Sequence, residues 1–109
     1  MDFSLTPEQE AFREAVATFC AREVRPRAAE IDRTDTFPPD LWRKMGDMGL
    51  LGVGVPEAYG GSGGDIFDAY LAGEELAAAS SGVALSSGAH SYLCVYNLYR
   101  NGTEAQRQR

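Results

Sequence analysis

The stretch "VALSSGAHSYLCVYNLYR", residues 83–100, constrains the fold more than any other part of the chain. It is apolar or small on nearly every face of a helix, so no single stripe can be assigned to a core. A helix of that kind is expected to be surrounded by protein. Tyr92, Tyr96 and Tyr99 follow i, i+4, i+7 spacing, which reads as a packing stripe. Ser86, Ser87, Gly88 and Ala89 remove side-chain volume from the same helix. Either a neighbouring backbone approaches closely there, or the helix forms one wall of an apolar pocket.

The rest of the sequence supplies helices to pack around it. Thr6 is an N-cap, Pro7 suits the first helical position, and Gln9 completes a T-x-x-Q capping box. Phe12, Val16, Phe19 and Cys20 recur at helical spacing, with Glu10, Arg13 and Glu14 off the stripe. Pro26 is expected to end or kink this helix near Val24 or Arg25, and "RAAEID" to resume it briefly. After the turn-rich "RTDTFPPD", the segment "DLWRKMGDMGL" reads as a short helix with Leu41, Trp42, Met45 and Met48 turned inward. Gly49 or Gly52 ends it. A third helix runs from about Ile66 to Ala79 with Phe67, Tyr70, Leu71 and Leu76 as apolar positions, closed by "SSG". The fourth stops at "NG", 101–102, and a second T-x-x-Q box at Thr103–Gln106 opens another. No strand is convincing beyond "LLGVGV". The expectation is an all-α domain of about four to five helices.

Between the second and third helices lies "VPEAYGGSGGD", residues 55–65, with four glycines. A dinucleotide fingerprint needs G-x-G-x-x-G, but Ile66 stands where the third glycine belongs, and no Walker lysine is present. Gly60, Gly61, Gly63 and Gly64 are better explained as positions needing positive φ in an irregular turn. Asp65 then caps the third helix. The loop is expected to turn the chain and hold no phosphate.

Several function classes fall away. The net charge is −6 with no basic run, the opposite of a protein that binds nucleic acid by neutralising phosphates. Cys20 and Cys94 match no metal or redox spacing and are expected to act as small core residues in a reducing compartment. His90, the only histidine, has no base-and-orienter constellation around it in sequence, and Glu74 and Glu75 point about 100° apart on a helix. "MDFSLTPEQE" lacks a positive region followed by an apolar run and is acidic, so neither signal nor transit peptide is evident and the cytoplasm is the expected compartment. No run of 18 apolar residues is present to span a membrane. The last capping box leads into only six residues, too few for a stable helix, so the chain is expected to be a truncation.

Taken together, "FSLTPEQEAFREAVATFCAREVRPRAAEIDR", "LWRKMGDMGLLGVGVPEAYGGSGGD" and "YLAGEELAAASSGVALSSGAHSYLCVYNLYRNGTEAQRQR" resemble the N-terminal helical domain of the acyl-CoA dehydrogenase family. The resemblance covers essentially the whole chain, residues 1–109, and P-E-x-x-G-G between helices is its most specific segment. The fourth helix is most similar to the isovaleryl-CoA branch. The resemblance implies a homotetrameric FAD enzyme whose middle β-domain and C-terminal helical domain lie outside this chain. It also implies an acyl-CoA substrate, a carboxylate base that removes the α-proton, and an electron-transferring flavoprotein that accepts the electrons. Base and flavin site would both belong to those other domains, leaving this chain inactive alone, with no catalytic, flavin-binding or metal residue of its own. Carried over residue by residue, Leu85, Ser86, Ala89 and Leu93 match pocket-lining positions, with His90 beside them. Ala89, where straight-chain relatives can carry a larger residue, would suit a short branched acyl group. The competing reading is a stand-alone helical module that packs its small-residue helix on a partner, or another short-chain acyl-CoA dehydrogenase or oxidase.

Overall fold

The computed structural model describes all residues from Met1 to Arg109. It contains only helices and turns. Helix α1 spans Pro7–Phe19 and continues into a wider π turn at Cys20–Val24 and a tight 3-10 turn at Arg25–Arg27. Helices α2 (Ala28–Thr34), α3 (Pro39–Asp47) and α4 (Ile66–Ala79) follow. One long rod then combines α5 (Ser81–Gly88), a π segment (Ala89–Tyr96) and α6 (Asn97–Asn101). The short α7 spans Glu104–Gln108.

Local chemistry sets most of the boundaries. The Thr6 hydroxyl accepts from the Gln9 amide at 3.2 Å, and the Gln9 side chain accepts from the Thr6 amide at 2.9 Å. Asp65 caps α4 by accepting from the amides of Phe67 and Asp68, while Asp68 returns the bond to the Asp65 amide at 2.9 Å. Thr103 and Gln106 repeat the device at α7. Pro26 has no N–H to offer the carbonyl four residues back. The preceding turn widens, and the Arg25 amide donates to the Cys20 carbonyl, five residues back. As expected, α2 resumes the helix, and Asp35 in the left-handed region (φ 50°) ends it.

The core comprises Val16, Phe19, Cys20, Val24, Leu41, Met45, Leu50, Ala72, Leu76 and Val83, brought together where α1 packs on α4 and α4 on α5. Each large member contributes on the order of 1.5–3 kcal/mol by leaving water. Alanines at 69 and 72 give α4 a small buried stripe that allows this close packing.

Several expectations are corrected. Phe67 and Tyr70 point to solvent, because α4 buries the opposite face, that of Ala69, Ala72 and Leu76. Met48 is exposed, since α3 has already ended before the left-handed Gly49. Cys94 is exposed as well, falling off the buried line of its helix; only Cys20 is a core residue. "LLGVGV" forms turns, with Gly52 N–H bonded to Gly49 and Val55 N–H to Gly52, and has no partner strand. The molecule is a slab of 41 × 38 × 22 Å, about two helix diameters thick. Such a slab cannot cover a helix on both sides, so the long rod is half-covered instead of surrounded.

Candidate functional site

The rod separates its residues by face. Val83, Ser87 and Ser91 are buried, and the Ser91 hydroxyl donates to the Leu51 carbonyl at 3.2 Å. On the other side Leu85, Ser86, Ala89 and Leu93 are all exposed, Leu85 by 76 % and Leu93 by 75 %. Two leucines held in water with only small side chains between them form an unpartnered apolar surface. Toward the end of the rod, Leu93 and Leu98 border a shallow depression that also holds Cys94, Asn97, Asn101 and Gln106.

Four of the five sequence-derived site residues thus share one face. His90 lies elsewhere. Its ring meets Trp42 edge-on, with centroids 5.0 Å apart and planes at 82°, and Trp42 meets Phe37 in the same way at 5.4 Å. The imidazole ties the rod to α3 and lies over the glycine turns, beside Gly52, Val55 and Gly61.

A second concavity, a cleft of about 240 Å³, opens beside this face. Tyr92, Tyr96, Ile66, Ala69, Gly54 and Gly64 line it. Burial pushes the Tyr92 phenol above its ordinary range, so it stays protonated and directs its O–H toward the Ala69 carbonyl at 3.5 Å. Sequence spacing assigned Tyr92 to packing along with Tyr96 and Tyr99. The latter two do pack, Tyr96 on Tyr99 and Tyr99 on Tyr59. Tyr92 differs because α4 begins opposite it, a neighbour that spacing within one helix does not reveal.

The amides of the glycine run are taken up within the chain. Each amide from Tyr59 to Asp65 is already bonded: Gly60 to Glu57, Tyr59 and Gly61 to Pro56, Ser62 to Gly52, Gly63 to Val55, Gly64 to Val53, and Asp65 to the Asp68 carboxylate. Gly60 and Gly63 have positive φ, as anticipated. Gly61 and Gly64 do not; a Cβ on Gly61 would collide with the Val55 carbonyl, and one on Gly64 would meet Val53 and Asp68. Close approach, not backbone sign, requires those two glycines. No group of three or more His, Cys, Asp or Glu side chains converges to hold a metal ion. No helix is long and apolar enough to cross a membrane.

Fold and site together define a helical domain that caps a turn-rich loop and presents one apolar, uncharged wall. Residues 6–109 match the acyl-CoA dehydrogenase N-terminal domain, and the chain belongs to that family. It is 48 % identical over 103 residues to the mitochondrial isovaleryl-CoA dehydrogenase of Solanum tuberosum, covering 93 % of this chain and 25 % of that protein. It is 45 % identical over 111 residues to the short-chain-specific acyl-CoA dehydrogenase of Clostridium acetobutylicum, covering 100 % and 29 %. The solved structure of butyryl-CoA dehydrogenase from Megasphaera elsdenii superimposes with a TM-score of 0.89 at 35 % identity, over 99 % of this chain and 29 % of that one. The chain therefore spans between a quarter and a third of the length of these relatives. Acyl-CoA dehydrogenases are FAD-dependent oxidoreductases. Neither feature fits the dinucleotide: the amides from Tyr59 to Asp65 are bonded within the chain, and the Tyr92 cleft is lined by no lysine or arginine.

Proposed function

We propose that this chain is the N-terminal domain of an FAD-dependent enzyme that introduces an α,β double bond into a short branched acyl-CoA of the isovaleryl type. Its part is to supply one wall of the acyl pocket from Leu85, Ser86, Ala89 and Leu93. The observation that carries this reading is the exposed apolar face of the rod, on a chain 48 % identical to an isovaleryl-CoA dehydrogenase. A hydrocarbon chain laid against that face removes both surfaces from water, worth roughly 25 cal/mol per Å². Water exclusion has a second effect. It strengthens the electrostatics acting on a proton removed beside a thioester carbonyl. The wall has no acid, base or cation, so its residues bind, shape and dry the site and take no proton themselves.

His90 is part of the same proposal in a supporting place, since its contact with Trp42 fixes the rod from the covered side. The flavin and the proton-abstracting carboxylate would come from other domains, with an electron-transferring flavoprotein as acceptor, a homotetramer as the assembly and the cytoplasm as the compartment. A second reading, a straight short-chain substrate, draws on the 45 % identity to the Clostridium enzyme.

Turnover by the full-length, flavin-loaded enzyme separates them. Isovaleryl-CoA is expected to give a kcat/KM at least about tenfold above octanoyl-CoA, the scale on which a hydrophobic pocket discriminates methylenes. Equal rates on the two would overturn the short-branched reading, and a preference for butyryl-CoA over isovaleryl-CoA would favour the second.

A further inference from the structure

Buried and exposed positions of the rod both repeat every fourth residue: Val83, Ser87 and Ser91 inward, Leu85, Ala89 and Leu93 outward. In a uniform α-helix such lines drift steadily around the axis. At 3.6 residues per turn, each step of four overshoots a full turn by about 40°, so two steps carry Leu93 roughly 80° from Leu85. A stretch with i→i+5 bonds has more than four residues per turn, and each step of four falls short. The rod is α up to Gly88 and π from Ala89 to Tyr96. Overshoot before Ala89 and undershoot after it offset each other. Leu85, Ala89 and Leu93 therefore stay in line.

The serines of the rod differ in where they bond. A helical serine commonly bonds back to a carbonyl of the preceding turn. Ser86 does so to Gly82 at 3.0 Å, and Ser87 to Ala84 at 3.1 Å. Ser91 does not. Its hydroxyl crosses to the Leu51 carbonyl, 40 residues earlier in the chain. It is buried within the π segment, and Ala89 and Leu93 lie two residues to either side, on the opposite face.

We propose that Ser91 is a positioning residue, whose bond to Leu51 holds the π register that aligns Leu85, Ala89 and Leu93 and thereby sets acyl-chain selectivity without touching the acyl group. The claim rests on the reading of that line as the acyl wall.

The test compares Ser91→Ala and Ser91→Thr with the parent in the full-length, flavin-loaded enzyme. Ser91→Ala is expected to change the ratio of kcat/KM for isovaleryl-CoA over octanoyl-CoA by about five- to tenfold, the scale of one hydrogen bond, chiefly through KM. Ser91→Thr, which keeps the hydroxyl, is expected to restore the ratio. Amide hydrogen exchange over residues 89–96, read on the same proteins, should rise about tenfold in Ser91→Ala alone, on the same hydrogen-bond scale. An unchanged ratio in an active enzyme overturns the proposal, as does unchanged exchange. A parent inactive toward every acyl-CoA sinks the wall reading, and the exchange result then supports or overturns the register claim on its own. If Ser91→Ala does not fold, Ser91→Cys keeps the volume, weakens the donor and gives the same comparison.

Discussion

Two stretches of wide helical turn lie in this molecule, Cys20–Val24 and Ala89–Tyr96, and each carries one of the two cysteines. Their causes differ. The first is forced from within its own strand of sequence by Pro26, which cannot donate to the turn before it. The second contains no proline; within it Ser91 bonds to Leu51 and His90 meets Trp42, contacts that span forty or more residues. Their surroundings differ too. Cys20 and Val24 sit in the core, whereas the second segment turns Ala89 and Leu93 to solvent. A widened turn built by a covalent constraint serves packing. One built by tertiary contacts is free to set the geometry of a surface.

Thiol labelling gives the widest expected separation between the two. Burial, with the Glu75 charge adding to it, pushes the Cys20 thiol from 9.0 to about 11. That shift alone cuts its thiolate fraction about a hundredfold. Exposed Cys94 should be alkylated by iodoacetamide in the native protein while Cys20 is spared, as read by peptide mass spectrometry. Comparable labelling of both would erase the contrast. Stability comes next. Leu41→Ala, in the core cluster with Cys20 and Val24, should cost about 2–5 kcal/mol in urea denaturation. Leu93→Ala should stay within about 0.5 kcal/mol. A large loss at Leu93 would mean that the outer face supports the fold.

The smallest effect concerns pH. Arg27 bonds both oxygens of Asp40, at 2.7 and 2.8 Å, and holds its carboxyl down from 3.8 to about 2. Lys44 likewise lowers Glu23, inside the first wide turn. Both carboxyls are more acidic in the folded state, so their contribution is full above the unfolded values. It fades as pH falls through the folded ones. Both pairs are solvent-exposed, where ion pairs contribute little. The π segment of the rod contains no Asp, Glu, Lys or Arg. Acid titration of Asp40→Asn should therefore show a slightly shallower loss of stability between pH 4 and 2 than the parent. An identical slope would remove the Arg27 pair from the account.

The split between legible and hidden features follows the range of the forces. Thr6 and Gln9, Asp65 and Asp68, and Thr103 and Gln106 announce helix starts because donor and acceptor are three residues apart. Pro26 announces the break after α1 for the same reason. The failed fingerprint in "GGSGGD" predicts a turn, and the amides from Tyr59 to Asp65 are bonded to carbonyls of residues 52–57 and to Asp68. Tyr92 escapes, since its neighbours at 54, 64 and 66 come from other elements. Phe67 and Tyr70 mislead because the small residues Ala69 and Ala72, not the large apolar ones, mark the face that α4 buries.

The chain's own order of residues settled the caps, the breaks, the all-helical class and the family, because those depend on bonds and periodicities within a few positions. Folding in three dimensions decided which side of residues 83–100 is covered, and how its turns are spaced. A helix small or apolar all round has no preferred side of its own; its partners assign one.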